Sequence, residues 1–224
     1  MTKEEFLQRL KEDVEYAPGW QAVDDAFEKL YPGQSPKRFG TELQARALLG
    51  GDCYLDGYSV YESPKGYQHI VTYGMTVLYG DEEAFGGEEN GWGYEMTFKL
   101  REKTAEDCLW AMDMLSRLAR YTYQSNWYFE PGDYVSGGGK SLHAGTDSKI
   151  TALVFVEDTE AEPQQSVYGR TAFLQLVGIT EEELQAIKAD PERVRELAAR
   201  MKADGNPDLV TDMSRTRSYL SAGE

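Results

Sequence analysis

The spacing of apolar residues predicts helix over the first 30 residues. Two runs of apolar residues at helical spacing lie on either side of Pro18-Gly19, a pair that interrupts a helix. The turn-rich residues 31–36 then end the helical region. We therefore predict an N-terminal helical segment over residues 1–34. Its apolar positions are Phe6, Leu10, Val14, Trp20, Val23, Phe27 and Leu30.

Extended segments dominate the middle of the chain. Alternate residues are apolar or aromatic from 67 to 79, which predicts one long strand with Gly74 as a bulge. Residues 150–156 form a nearly continuous apolar run around Phe155, typical of a central strand buried on both faces. Further strands are predicted over residues 93–100, 171–177 and 209–212.

Helices are predicted beside these strands. Residues 105–124 carry a wide apolar stripe at helical spacing. Thr180 and Glu183 form a capping box, and Asp190-Pro191 marks the start of a second helix. Strands and helices that alternate in this way indicate a mixed α/β layer structure.

The charge of the chain changes the range of possible partners. Asp and Glu number 39 against 23 Lys and Arg, which gives a formal net charge of −16. Such a surface repels phosphate backbones and anionic lipids, so we predict no nucleic-acid partner and no membrane partner. It would attract a basic protein, although acidity also serves solubility alone.

One glycine-rich stretch resembles a nucleotide-binding loop. Gly137-Gly138-Gly139 precedes Lys140 and Ser141, as at the end of a phosphate-binding motif. The first glycine of that motif would fall at position 134, which is Tyr134, and no helical pattern follows Ser141. We therefore reject an NTPase and interpret the glycines as a flexible connection.

Other chemistry is equally poorly supported. His69 and His143 are the only histidines, and His69 lies on an apolar strand face, where a packed, hydrogen-bonded histidine is expected. Cys53 and Cys108 are interpreted as buried thiols of a reducing cytoplasm. We predict no catalytic residue, no cofactor and no metal site. The alternative, a metal-dependent hydrolase, would use adjacent acids, which are more typical of solvated loops: Glu82/Glu83, Glu88/Glu89 and Glu157/Asp158.

Seven blocks of sequence resemble the suppressor of fused (SUFU) family in family order. They run from residue 48 to residue 215, about three quarters of the chain. The blocks are "LGGDCYLDGYSVYE", "HIVTYGMTVLYGDEE", "ENGWGYEMTFKLRE", "LWAMDMLSRLARYTYQSNWYFEPGDYVS", "ITALVFVED", "VYGRTAFLQLVGITEEEL" and "NPDLVTDMSR".

The resemblance implies a fold and a class of function. It implies an α+β fold with a mixed, largely antiparallel sheet flanked by helices, over residues 35–217, with a tail at 218–224. It further implies a non-enzymatic protein-binding domain without cofactors. The short length is similar to that of single-domain bacterial members, many of which are thought to be immunity proteins that neutralise polymorphic toxins.

In animal members of that family, a peptide docks near the loop after the "LYG" block. The matching residues here predict a surface for a basic protein, either a toxin domain or a regulatory protein. Aromatic anchors and carboxylates are the side chains that such a surface would use. Its predicted residues are Tyr79, Asp81, Glu82, Glu83, Phe85, Glu88 and Glu89, with Trp92 as a further aromatic candidate. The alternative is that Tyr79 and Trp92 belong to the core and the acids form a mobile, solvated loop.

Overall fold

One eight-stranded sheet carries helices on both faces in the computed structural model, which describes residues 1–41 and 54–221. The helices are α1 (Lys3–Glu12), α2 (Pro18–Leu30), α3 (Leu109–Ser125), α4 (Glu181–Ala189) and α5 (Arg193–Ala203), with a short 3-10 helix at Glu106–Cys108. The strands are β1 (Lys37–Gly40), β2 (Gly57–Ser63), β3 (Tyr67–Tyr73), β4 (Glu89–Leu100), β5 (Tyr134–Ser136), β6 (Ile150–Glu157), β7 (Gln164–Ser166) and β8 (Gly169–Thr180).

The strand order is β1-β2-β3-β4-β8-β6-β5, with β7 paired to the outer part of β8. Every neighbouring pair is antiparallel except the central one, β4 with β8, which is parallel. The prediction of a mixed, largely antiparallel sheet flanked by helices is therefore confirmed.

Each face of the sheet buries a different set of helices. Helix α3 covers one face, where its apolar stripe meets side chains such as Phe98 and Phe155 in the largest apolar cluster. On the other face, Phe27 of α2 packs against Phe173, while α4 and α5 pack around Val154 and Val177 in a separate cluster. The N-terminal segment therefore shares the core of the sheet through α2.

Side chains set the helix boundaries. Thr180 and Glu183 form the predicted capping box at the start of α4, with a reciprocal pair of hydrogen bonds. Helix α3 ends at Asn126, which adopts a left-handed conformation with φ of 57°. None of the described helices is long and apolar enough to cross a membrane.

Two predicted boundaries and one predicted strand are wrong. The strand over residues 67–79 ends at Tyr73, because Gly74 leaves the sheet with φ of 126°. Helix α1 ends at Glu12, so Val14 is 96% exposed instead of lying on a helical face. The predicted strand over residues 209–212 contributes only one bridge, between Thr211 and Leu100. Cys53 lies outside the described residues.

Candidate protein-binding surface

The acidic loop, residues 80–88, begins from a turn held by a buried carboxylate. Glu95 on β4 accepts hydrogen bonds from the hydroxyls of Thr72 and Thr76. It also accepts from the backbone N–H groups of Gly74, Met75 and Thr76. These bonds fix the turn that follows β3. Burial raises the pKa of Glu95 to about 6, against the opposing effect of its hydrogen bonds.

Two further side chains hold the chain between this turn and β4. Tyr168 donates its hydroxyl to the carbonyl of Tyr79 at 2.7 Å and accepts from the N–H of Asp81 at 3.0 Å. The buried Asn90 side chain accepts from the N–H of Val77 at 2.9 Å and donates to its carbonyl at 3.2 Å. Polar contacts with the sheet therefore fix both sides of the acidic loop.

Helix α1 supports the acidic loop from the other side. Phe85 packs against the fully buried Phe6, with ring centroids 4.9 Å apart. Gly80 lies so close to Leu10 that a Cβ there would stand 2.3 Å from its Cδ2. Lys3 lies 3.5 Å from the carboxylate of Glu82. The loop that carries these acids is therefore packed against α1.

The predicted binding residues differ in their exposure. Tyr79 is 51% exposed and tilts against Trp20, with centroids 6.3 Å apart, so its ring is accessible. Phe85 is partly buried on Phe6, which makes it a support of the loop. Asp81 also shapes the loop, because its carboxylate accepts from the N–H of Glu83 at 2.8 Å.

The remaining acids face solvent. Glu82, Glu83 and Glu88 are exposed on the acidic loop. Glu89 is also exposed, but it lies at the start of β4 instead of in the predicted loop, 3.6 Å from Arg170. The basic side chains near these acids come from distant segments of the chain, and both ion pairs are solvated, so each contributes little to stability.

Beside Glu89, the central strands separate and leave a groove. The register of β4 on β8 is irregular between the pairs Glu89–Arg170 and Tyr94–Ala172. A groove of about 770 Å³ lies over this irregularity and is bounded by residues 128–131 and 157–163. Its lining includes the aromatic residues Trp92, Tyr94, Tyr128 and Phe129, and the carboxylates of Glu89, Glu130, Glu157, Asp158, Glu160 and Glu162. Arg170 is its only basic lining residue among the described positions.

Sequence reasoning missed the exposed aromatic residues that follow α3, of which Tyr128 lines the groove. Trp127 is 60% exposed and Tyr128 50% exposed, just past the left-handed Asn126 that ends α3. Both residues follow the apolar stripe and precede the Glu-Pro-Gly turn at 130–132. The sequence did offer a signal for them, because two adjacent aromatic residues beyond the end of a helix fit neither a helical nor a strand periodicity. Trp92 lies deeper, edge-on to Tyr123 at 5.6 Å.

A buried charge network supports one wall of the groove. The side chain of Asp158 is fully buried, 3.1 Å from His69 Nε2 and 3.0 Å from Lys99 Nζ. His69 Nδ1 lies 2.9 Å from the hydroxyl of Tyr31, which confirms the expectation of a packed, hydrogen-bonded histidine. Burial alone would raise the pKa of Asp158, but His69 and Lys99 hold it well below its ordinary value. The expectation that Asp158 is a solvated loop acid is wrong.

Glu160 connects this network to the surface. It pairs with Lys99 at 3.0 Å and with Lys65 at 2.6 Å, and accepts the hydroxyl of Tyr67. Burial opposes ionisation, yet these donors lower the pKa of Glu160 to about 2. Asp158 and Glu160 are thus already neutralised by basic groups of the chain. The carboxylates open to an incoming cation are the exposed ones on the rim.

The glycine-rich stretch continues an edge of the sheet. Gly137 donates its N–H to the carbonyl of Thr151, extending the β5–β6 ladder, and Lys140 is exposed on the turn that follows. Nothing there has the strand-loop-helix geometry of a nucleotide site. Over the described part of the chain, no three His, Cys, Asp or Glu side chains converge as a metal site would require.

Comparison with known proteins gives consistent relatives. The family model described as "Suppressor of fused protein (SUFU)" matches residues 51–216. The human Suppressor of fused homolog is 33% identical over 211 residues, which cover 88% of this chain and 43% of the human protein. The mouse homolog is 32% identical over the same coverage. The chain thus spans less than half the length of these curated relatives.

Solved structures agree with the fold. A chain of the Sufu-Fu complex crystal structure superimposes with a TM-score of 0.78 at 26% identity, covering 91% of this chain and 93% of that one. The crystal structure of Drosophila Suppressor of Fused superimposes with a TM-score of 0.77 at 28% identity, covering 91% of this chain and 51% of that one. A putative SUFU homolog from Neisseria gonorrhoeae shares the fold, with a TM-score of 0.61 at 17% identity, covering 92% of this chain and 98% of that one. The chain belongs to the suppressor of fused family.

Proposed function

We propose that this chain is a non-enzymatic, protein-binding domain that takes a basic segment of its partner on the acidic loop and the adjoining groove. We further propose that the partner is a polymorphic toxin, which the chain neutralises as an immunity protein of the bacterial cytoplasm. The observation that carries the proposal is the position of the exposed carboxylates. They stand on a packed loop beside a groove whose charged lining residues are all acidic except Arg170.

Electrostatics favours a cationic partner. The net charge of −16 provides a long-range field that accelerates the encounter with a basic protein. At the surface, Glu82 and Glu89 each have one solvated basic neighbour, which an arriving arginine can replace without leaving a buried charge unpaired. Charge therefore supplies the on-rate and the preference for basic partners.

The rigidity of the acidic loop is the second contribution to binding. Binding costs free energy when it orders flexible segments, and this loop is already held by Glu95, Tyr168 and α1. The accessible ring of Tyr79 is a rigid aromatic of the kind that anchors interface cores. Neither contribution needs catalysis, a cofactor or a metal.

A regulatory role for another cellular protein is the alternative. It is favoured by one comparison, since one of the similar solved structures is that of the Sufu-Fu complex. Both roles use a protein-binding surface, and they differ in the identity of the partner. Co-expression with the product of a neighbouring toxin-like gene separates them. Survival of the cells only when this chain is present supports immunity, whereas continued toxicity without complex formation contradicts it.

The binding surface is tested by removing charge without removing size. Changing Glu82, Glu83, Glu88 and Glu89 together to Gln should slow association at low salt and leave the melting temperature unchanged. The matched control makes four equivalent changes on distant exposed acids, namely Asp113→Asn, Asp147→Asn, Glu182→Gln and Glu192→Gln. Equal kinetics for the two variants would place the interface elsewhere.

Tyr79→Ala tests the aromatic anchor separately. We expect faster dissociation with an unchanged on-rate, because the ring contributes short-range contact and no charge. Surface plasmon resonance gives both rates, and a thermal melt shows whether the variant is folded. Wild-type dissociation from a folded variant would exclude Tyr79 from the interface.

A further inference from the structure

The groove beside the acidic loop is lined by carboxylates of two kinds. Some have basic partners within the chain, since Glu89 lies 3.6 Å from Arg170. Asp158 and Glu160 likewise both pair with the buried Lys99. The others are exposed and make no ion pair with the described residues: Glu130, Glu157 and Glu162. The groove therefore has three negative charges that the described part of the chain does not neutralise.

Arg170, the one basic residue among the described lining residues, lies far from part of this negative charge. Glu157 at the end of β6 is opposite Leu174, four residues along β8 from Arg170. At about 3.3 Å per residue, Leu174 and Arg170 are roughly 13 Å apart along the strand. Exposed charges are largely screened beyond about 8 Å at physiological ionic strength. The end of the groove near Glu157 is therefore negative even with Arg170 in place.

An exposed aromatic ring stands on a fixed wall of the same groove. Tyr128 lines the groove and is 50% exposed. The next residue, Phe129, stacks on Phe155 with ring centroids 4.4 Å apart and donates its N–H to the hydroxyl of Tyr94 at 3.2 Å. Gly132 donates its N–H to the carbonyl of Phe155 at 2.8 Å. The segment that carries the Tyr128 ring is thus held on both sides against the sheet.

This combination of groups distinguishes between the two basic side chains. A guanidinium is planar and weakly hydrated, stacks on aromatic faces, and has five donors that can bond to more than one carboxylate. A lysine ammonium is a compact, strongly hydrated point charge. The apolar lining of the groove, at Ala172, Phe173 and Leu174, also suits the methylene groups of a long basic side chain.

We propose that the groove takes an arginine side chain of the partner, with the guanidinium stacked on Tyr128 and paired with the unneutralised carboxylates of Glu130, Glu157 and Glu162. This inference rests on the proposed function and specifies it, because it makes arginine, and not positive charge alone, the side chain that the groove recognises.

Three short peptides that differ in one side chain test this specificity. They are acetyl-Gly-Arg-Gly-amide, the same peptide with lysine, and the same peptide with citrulline, which is a neutral isostere of arginine. NMR titration of the full chain at low salt should show the arginine peptide binding at least about threefold more tightly than the lysine peptide. The indole resonance of Trp92 in the groove should shift, while that of Trp110, which stacks on His143, should not.

Variants separate stacking from charge. Tyr128→Ala should remove the preference for arginine over lysine, and Tyr128→Phe should keep it, because the ring remains. The matched control is Trp127→Ala, at a neighbouring aromatic residue that is 60% exposed and does not line the groove. Changing Glu130, Glu157 and Glu162 together to Gln should weaken both cationic peptides about tenfold and leave the citrulline peptide unaffected. A thermal melt establishes that each variant is folded.

The inference and the proposed function fail in different experiments. An arginine peptide that binds no more tightly than the lysine or the citrulline peptide would overturn the inference. So would an arginine preference that persists in a folded Tyr128→Ala. If the four-glutamine variant of the acidic-loop surface slows association of the partner while Tyr128→Ala and the triple variant bind it normally, the proposed function stands and only the inference is wrong.

Discussion

Glu95 and Asp158 are both buried carboxylates, yet the protein shifts their pKa values in opposite directions. Glu95 is surrounded by neutral donors, two threonine hydroxyls and three backbone N–H groups, and its pKa rises to about 6. Asp158 faces His69 and Lys99, and its pKa falls. Hydrogen bonds from neutral groups only reduce the rise in pKa that burial causes, whereas a buried cation turns that rise into a fall.

The two carboxylates also support different parts of the candidate surface. Glu95 holds the turn from which the acidic loop begins, while Asp158 and Lys99 hold the wall beneath the groove. The turn is thus sensitive to pH near 6, and the wall keeps its charges to much lower pH. Variants that remove one support and spare the other test this contrast.

The largest effect is expected from Lys99→Met. It leaves Asp158 and Glu160 without the buried ammonium that both contact, and an uncompensated buried charge costs about 3–5 kcal/mol of unfolding free energy. Lys65→Met is the control on the same cluster, at an exposed lysine, and should cost less than about 1 kcal/mol. Urea unfolding measures both. Equal costs would show that the buried pair does not hold this wall.

The next effect is the pH dependence contributed by Glu95. Its pKa is higher in the folded chain than its ordinary 4.5, so its contribution to stability is complete below pH 4.5 and is lost as pH rises through about 6. The loss amounts to about 2 kcal/mol. It should appear as the difference in unfolding free energy between the wild type and Glu95→Gln, measured from pH 4 to pH 7. A difference that grows in favour of the wild type over this range would contradict the assignment.

Asp158 should show the reverse behaviour. Its lowered pKa gives stability that is present above its ordinary value of 3.8 and is lost as pH falls below it.

Matched threonine variants give a smaller but sharper comparison. Thr76 donates to Glu95 at 2.7 Å, and Thr97 donates to Asp158 at 2.6 Å. At pH 7 either change to Val should cost about 1.5 kcal/mol, because each removes a hydrogen bond to a charged group. At pH 5 the cost of Thr76→Val should shrink, since Glu95 is then mostly protonated, while that of Thr97→Val should persist. Urea unfolding at the two pH values measures both costs. An equal change in cost for the two variants would show that Glu95 and Asp158 do not differ in protonation over this range.

The smallest effect is expected at Lys140. Lys140→Ala should change stability by no more than about 0.5 kcal/mol, because the side chain is exposed and contacts neither carboxylate. A thermal melt measures this. Micromolar binding of ATP by the wild type that disappears in this variant would contradict the rejection of a nucleotide site.

Periodicity in the sequence was sufficient to predict much of the fold. The stripe of α3, the apolar run of β6 and the capping box of α4 all depend on neighbouring residues, and each was predicted close to its observed position. The end of β3 was not predicted. Met75 continues the alternation and is buried, so the pattern does not reveal that Gly74 has already turned the chain out of the sheet.

The candidate site was less accessible to sequence reasoning. The acids of the loop are adjacent in sequence and could be named, whereas the groove combines segments from β4, β8 and two loops. The partners of Asp158 are 89 and 59 residues away, at His69 and Lys99, so no local pattern distinguishes it from a solvated acid. Long-range pairing determines which carboxylates are exposed, and a single sequence does not encode that in its periodicity.

The parallel pairing of β4 with β8 has a consequence for the order of folding. Phe98 pairs with Leu176, 78 positions later (176 − 98), so the centre of the sheet closes only after a long stretch of chain has been ordered. Forming such non-local contacts requires the entropic cost of closing a long loop before the contacts stabilise the chain, which slows the folding reaction. During synthesis, the β1–β4 portion emerges with the edge of β4 unpaired until β8 has left the ribosome. That nascent edge is where misassembly would begin, and where a chaperone would be needed.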